Sequence, residues 1–235
     1  MKLLVIAPVN TDHFNAEILS HIREAVSADT HVDIVNLSGG SSCIQSRVDL
    51  ATNAPYVIQT VAAHANDYDG IFVTDMDMCG VEASRQVADI PVIGGFRASA
   101  YTAMLLSQKY AILTIRDVVD LQNEHVRAFG IQDNLACIES LPLGVYDLSN
   151  KQLVMDMLVK YSIDAVKNHD AEAIMFGCTG FVGYADALSQ RLQADLGMYI
   201  PVMDPNQCAI KYLELLVANK LRQSDKSYPR VKALS

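Results

Sequence analysis

The chain has 235 residues, 51% of them hydrophobic, with a formal net charge of −9. That length carries one large domain or two small α/β lobes with real cores, and the acidic balance excludes the basic footprint of a phosphate-tracking nucleic-acid binder. The opening run MKLLVIAPVN is too short in apolar residues for a signal peptide, no stretch approaches the roughly 18 apolar residues of a membrane span, and a soluble cytoplasmic protein is the expectation.

Residues 2–7, KLLVIA, form a short apolar run that predicts a buried parallel strand. A helix follows over 11–26, with Thr11 or Asp12 as cap and Phe14, Ile18, Ile22 and Val26 at helical spacing. Residues 31–37 alternate like a strand and lead into the loop Gly39-Gly40-Ser41-Ser42. Residues 49–66 predict a helix in which Pro55 marks a break or a late first turn. Strand 70–74, helix 81–88, strand 90–94 and helix 98–107 come next. Strand 109–115, helix 118–129 closed by Gly130, strand 135–140 and the long helix 151–168 continue the alternation. Strand 173–176, helix 184–196, strand 200–203 and helix 206–221 complete it, and the polar tail from Arg222 reads as loose. Strands alternating with helices imply parallel sheets with helices on both faces. In such sheets ligands bind at the carboxyl ends of the strands, so the informative residues are those just after each apolar run.

Five cysteines, Cys43, Cys79, Cys137, Cys178 and Cys208, include no C-x-x-C pair. Zinc ribbons and disulfide frameworks are therefore weak readings, and most of these thiols are expected only to pack. The six histidines show no ligand spacing, so no metal is implied. No glycine-rich phosphate loop follows a strand, and no cofactor is implied.

The chain looks duplicated. Asp69-Gly-Ile-Phe-Val-Thr-Asp75 aligns with Glu172-Ala-Ile-Met-Phe-Gly-Cys178 at an offset of 103 (178 − 75). Ile90-Pro-Val-Ile-Gly94 likewise matches Ile200-Pro-Val-Met-Asp204, and Lys2–Ala7 matches Lys109–Thr114. Parallel strands draw on few residue types, which is the plain explanation. The sharper one is two pseudo-symmetric lobes, each a mainly parallel sheet flanked by helices, with an active site in the cleft between them. Asp75 and Cys178 would then hold equivalent strand ends. The expected lobes are 1–97 plus 205–235 and 98–204.

Together these segments resemble the hydantoin racemase branch of the Asp/Glu/hydantoin racemase superfamily. Pro8-Val-Asn10-Thr11 resembles its N-P-N-T segment, and Gly39–Asp49 its Gly/Ser loop. Gly177-Cys-Thr-Gly180 resembles the turn that carries its second catalytic cysteine. The resemblance implies a cofactor-independent racemase or epimerase of an amino-acid derivative, hydantoin-like or Asp/Glu-like, that moves a proton at a carbon next to a carbonyl. The family's first catalytic cysteine falls on Asp75 here, and a slipped turn would bring in Cys79 instead. Arylmalonate decarboxylases, a related branch, are similar in keeping one catalytic cysteine on the Cys178 side. A one-cysteine decarboxylase or isomerase is thus the second reading, and a non-catalytic binding protein the third.

Cys178 and Asp75 are the catalytic candidates. A thiol at a strand end followed by Thr-Gly suits proton transfer, although a packed thiol is the plain alternative. Asp75 would equally serve as a helix cap. Asn10, Thr11, Ser46, Thr114, Thr179 and Gly180 are the substrate-binding candidates, and each has a capping or turn role as its alternative. The expected partner is a small carboxylate or hydantoin, with no nucleic acid and no membrane. A homo-oligomer is expected from the high apolar content.

Overall fold

A computed structural model describes residues 1–115 and 118–231. The chain divides into two compact units, Met1–Gly95 with Ala209–Ser235, and Phe96–Cys208.

The first unit holds β1 (Lys2–Ala7), α1 (Asn15–Ala25), β2 (His31–Asn36), α2 (Arg47–His64), β3 (Gly70–Val73), α3 (Val81–Ser84) and β4 (Val92–Gly94). The remaining elements are α4 (Gly95–Leu106), β5 (Tyr110–Ile115), α5 (Val119–Ala128), β6 (Leu135–Leu141), α6 (Lys151–His169), β7 (Ala173–Phe176), α7 (Ala185–Leu196), β8 (Val202–Met203) and α8 (Pro205–Ala218). The two sheets run β2-β1-β3-β4 and β6-β5-β7-β8, and every pairing is parallel. All strands of one sheet therefore end at the same edge. β3 and β7 are buried along their whole length, as continuous apolar runs covered on both faces must be.

The duplication read in the sequence holds at the level of single hydrogen bonds. Ile6 pairs with Val73 in one sheet, and Leu113 with Phe176 in the other. Just beyond them, the Thr74 N–H donates to the Ile6 carbonyl at 3.0 Å and the Gly177 N–H to the Leu113 carbonyl at 2.7 Å. At the other edge, the Ile71 N–H donates to Pro91 and the Ile174 N–H to Pro201, both at 2.9 Å. Even the carboxylates before the strands correspond: Asp69 accepts the Lys2 N–H at 2.7 Å, and Glu172 accepts the Lys109 N–H at 3.2 Å. The two units thus share one strand register and not only one residue composition.

The helix after each fourth strand leaves its own sheet. α4 follows β4 yet belongs to the second unit, and most of α8 follows β8 yet belongs to the first. Packing explains the second case. A Cβ placed on Gly70 would come 2.8 Å from Leu213 Cδ1, so α8 lies directly on β3. Glu214 of α8 also accepts the Ser27 N–H at 2.9 Å and the Thr30 hydroxyl at 2.6 Å.

Three expectations need correction. α1 begins at Asn15 rather than near Thr11, and its N-cap, Phe14, makes no side-chain cap. α2 runs unbroken through Pro55, starting at Arg47 with Ser46 as the cap. Its packing against the core outweighs the roughly 3 kcal/mol that an interior proline costs. The tail is not loose as far as Val231. The Gln223 side chain donates to the carbonyls of Arg85, Ala88 and Ile90 at 3.2, 2.6 and 3.0 Å. Tyr228 donates to Glu82 at 2.5 Å and accepts from Arg85 at 2.8 Å.

No helix among the described residues is long and apolar enough to cross a membrane.

Candidate active site

In the first unit the chain leaves β3 and turns through residues 74–80. Gly80 takes φ +66°, and a Cβ there would come 2.9 Å from the Val57 side chain and 3.0 Å from the Ala54 carbonyl. The turn is thus pressed onto α2 where only glycine fits. Asp75 is wrapped by the turn and is 8% exposed. Its Oδ2 accepts the Cys79 N–H at 2.7 Å, and its carboxylate also accepts the backbone N–H groups of Asp77 and Met76. Burial pushes its pKa up, the three amides pull it down, and burial wins. Its own backbone is fixed too, with its N–H on Val73 at 2.8 Å and its carbonyl on the Gly95 N–H at 3.0 Å.

Cys79 is not the thiol that a slipped turn would present. It is 2% exposed and donates to the Leu50 carbonyl at 3.7 Å. Burial first, then the charges of Asp75 and Asp77, push its thiol well up, which leaves it protonated and inert.

Neighbouring loops at the same sheet edge are organised by Asn53, fully buried on α2. Its amide donates to the Pro8 carbonyl at 2.8 Å and its Oδ1 accepts the Ser41 N–H at 2.7 Å. Asn10, exposed, donates to the Gly40 carbonyl at 2.6 Å. The Thr11 carbonyl accepts the Asn36 amide, and its hydroxyl accepts the His13 N–H at 3.4 Å. Ser46 is engaged with Asp49: its hydroxyl donates to Oδ2 at 2.7 Å and accepts the Asp49 N–H at 3.1 Å.

In the second unit the equivalent turn covers residues 177–183. Gly183 takes φ +76°, matching Gly80. Gly177 has no room for a side chain, since a Cβ would come 2.6 Å from Gln122 Oε1 and 2.7 Å from Thr114 Cβ. Its carbonyl accepts the Thr114 hydroxyl at 3.1 Å and the Gln122 amide at 2.6 Å. Thr114 and Gln122 are both fully buried, so Thr114 holds the turn from beneath. Cys178 is half-buried, and its Sγ accepts the Gly180 N–H at 3.4 Å. That contact directs the sulfur and offers a donor to negative charge on it. Thr179 is tied through its carbonyl to the Asn206 amide at 2.8 Å. Asn206 and Gln207 in turn donate their N–H groups to Asp204 at 2.8 and 3.1 Å, which caps α8. Below the turn, Phe181 packs on Phe176 with ring centroids 5.3 Å apart.

A family model described as Asp/Glu/Hydantoin racemase matches residues 3–213. The chain belongs to this family. It is 28% identical to the hydantoin racemase of Pseudomonas sp. (strain NS671), covering 92% of this chain and 86% of that one. It is also 28% identical to the hydantoin racemase of Rhizobium meliloti, covering 99% and 97%. Among solved structures, allantoin racemase from Klebsiella pneumoniae superposes with TM-score 0.91 at 26% identity, over 100% of this chain and 96% of that one. Arylmalonate decarboxylase shares the fold, with TM-score 0.62 at 15% identity over 92% of each chain. This racemase is accordingly an isomerase with small-molecule substrates.

Sequence reading of this racemase missed Gln122, Asn53 and Asn206. Each is a fully buried amide that fastens a turn carrying a candidate residue. The available signal was a lone amide within a helix, a position where such side chains are neutral to unfavourable unless they have a partner elsewhere.

Proposed function

We propose that this racemase inverts a carbon next to a carbonyl in a hydantoin-type or related amino-acid-derived substrate, without a cofactor, and that Cys178 and Asp75 are its two proton carriers. One group removes the proton from one face, leaving an enolate-like intermediate, and the other delivers a proton to the opposite face; one C–H bond breaks and one forms. The observation that carries the reading is Cys178: a half-buried thiol at a strand end, fixed by a buried hydrogen-bond network beneath it and supplied with a backbone donor. The names of the similar proteins, hydantoin racemase and allantoin racemase, support a cyclic ureide as substrate.

Asp75 supports the second role through its raised pKa, which brings a carboxyl closer to the working range of a thiol. The N–H of Thr179 and the polar groups of Asn10 and Thr11 are assigned to the substrate's carbonyl or carboxylate oxygens, while Gly180 and Ser46 shape the surrounding turn and loop through their contacts to Cys178 and Asp49. Thr114 is assigned to holding the Cys178 turn. One enantiomer of a 5-substituted hydantoin, incubated in deuterated water, tests the proposal. Deuterium should enter the carbon as optical activity is lost, and Cys178→Ser should stop both. Release of carbon dioxide or another new product would overturn it in favour of a lyase.

A second reading of Asp75 is favoured by the three amides it accepts: a turn anchor with no proton to carry. Asp75→Asn separates the two, because an asparagine oxygen still accepts the Cys79 N–H but cannot transfer a proton. As further parts of the proposal, the two compact units act as lobes of one enzyme, and the chain works in the cytoplasm as a homo-oligomer. Exposed Leu105 and Leu106 on α4 support self-association, and sedimentation of the purified chain reads it directly.

A further inference from the structure

We infer that the outer edge of the second sheet carries a binding site for a divalent transition-metal ion, formed by Cys137, Glu139 and His169. Cys137 and Glu139 lie two residues apart on β6, so their side chains share one face. β6 is the edge strand of its sheet, and Cys137 and Glu139 are both half-buried there, so the group lies at the margin of the core. His169 is the last residue of α6, and Asp170 ends the helix in the left-handed conformation at φ 56°. The helix stops where its terminal imidazole meets the strand. One ligand atom from each of the three side chains lies within 4.8 Å of the others. The imidazole Nε2 is 3.7 Å from a Glu139 oxygen and 3.7 Å from an Asp164 oxygen. Asp164 borders the three-residue group on its imidazole side, and a solvent molecule would complete the coordination.

The donor chemistry selects the ion. A thiolate, an imidazole and a carboxylate make a mixed S, N, O set, which suits zinc and its neighbours rather than magnesium or calcium. Bonds of about 2.0–2.3 Å in a tetrahedral site bring ligand atoms to roughly 3.3–3.8 Å from each other. Closing the cluster therefore takes about 1 Å of side-chain movement and no shift of the strand. Burial, followed by the charges of Glu139 and Asp164, pushes the empty site's Cys137 up to about 12. The ion displaces that proton to solvent and relieves the crowding of anionic groups. β5 separates β6 from β7, so these ligands are not the groups assigned to racemisation, and the inference stands apart from the proposed function.

Cobalt titration of the purified, reduced chain is the test, because a cobalt–thiolate bond gives an intense near-ultraviolet charge-transfer absorption. The wild-type chain and Cys178→Ser should each show this band, saturating at one ion per chain. Cys137→Ser should lose it, with racemisation unchanged. His169→Gln, at an exposed helix end, should keep the fold and weaken binding by about 10-fold or more. Zinc should raise the thermal midpoint of the wild-type chain and not that of His169→Gln. No band in the wild-type chain, a band that survives Cys137→Ser, or one lost only with Cys178→Ser would each overturn the inference.

Discussion

The turn after β3 and the turn after β7 are built on one backbone frame, with the same register behind them and a glycine at positive φ closing each. They differ in what they do with the residue at the strand end. The β3 turn folds its amides inward onto Asp75, so the acidic group is enclosed and satisfied by its own loop. The β7 turn leaves Cys178 half-buried and is braced from below by Thr114 and Gln122 acting on a neighbouring carbonyl. A duplicated frame can therefore specialise by redirecting a few backbone N–H groups. A carboxyl group held by three amides is enclosed; a thiol with one amide on its sulfur is half-exposed.

The sharpest way to break this contrast is at Cys178. Cys178→Ser should lower kcat by about 10²–10⁴-fold, the usual scale of a lost proton carrier, with far-ultraviolet circular dichroism unchanged. Turnover that survives would remove the thiol from the mechanism.

Asp75 comes next. Asp75→Asn should cost about 10²-fold in racemisation if the carboxylate carries a proton, while Asp75→Cys should retain or increase it. The pH profile gives a second reading. With its pKa raised, Asp75 must lose its proton before it can act as a base, so the acid limb of kcat should lie above the ordinary carboxylate value of about 3.9. Stability follows the sign of the same shift. A raised folded-state pKa favours folding below the unfolded pKa, and that contribution is lost as pH rises through the folded value. Asp75→Asn removes that dependence but replaces one acceptor oxygen of a carboxylate that takes three backbone amides with a donor, so denaturant titration at neutral pH should show a net loss of about 1–3 kcal/mol. Full activity in Asp75→Asn would make the carboxylate an anchor alone.

Beneath the other turn, Gln122→Leu removes the shorter of the two donors to the Gly177 carbonyl. A weakened buried acceptor costs about 1–3 kcal/mol. kcat should fall more than KM rises, since the thiol is misplaced and the substrate contacts are not; an unchanged kcat would show that the brace is dispensable.

The smallest expected effect compares the two closing glycines. Gly80→Ala and Gly183→Ala share the strain of positive φ, about 1–2 kcal/mol. Gly183 has open space around a new Cβ, whereas Gly80 faces Val57 and Ala54. Gly80→Ala should be the more destabilising in parallel urea titrations, and equal losses would mean that the β3 turn is not held as tightly as its contacts indicate.

Much of the frame was legible because it is local. Apolar runs of four to six residues separated by helical spacing specify parallel strands, and the offset of 103 (178 − 75) between the two strand ends reappears as hydrogen-bond register. Boundaries failed where a tertiary contact intervened. Pro55 sits inside α2 because the helix packs on both sides of it, and the tail from Arg222 is pinned by carbonyls more than 130 residues away. Asp75, Cys178 and the Gly177–Gly180 turn could be singled out as candidates because motif residues follow strands; Gln122 and Asn53 could not, because a lone amide on a helix gives no sign of its distant partner.

By itself the sequence determined the alternation of strands and helices, the repeated strand pattern, the family and the strand-end candidates for the site, since all of these are read from neighbours along the chain. Only the tertiary structure decided which strand-end residue is enclosed and which is accessible, because that depends on where the amides of a turn point once helices pack against it. It alone also brought Cys137 and Glu139 to His169, thirty residues further along, for the same reason: contacts made across a fold leave no period in the sequence.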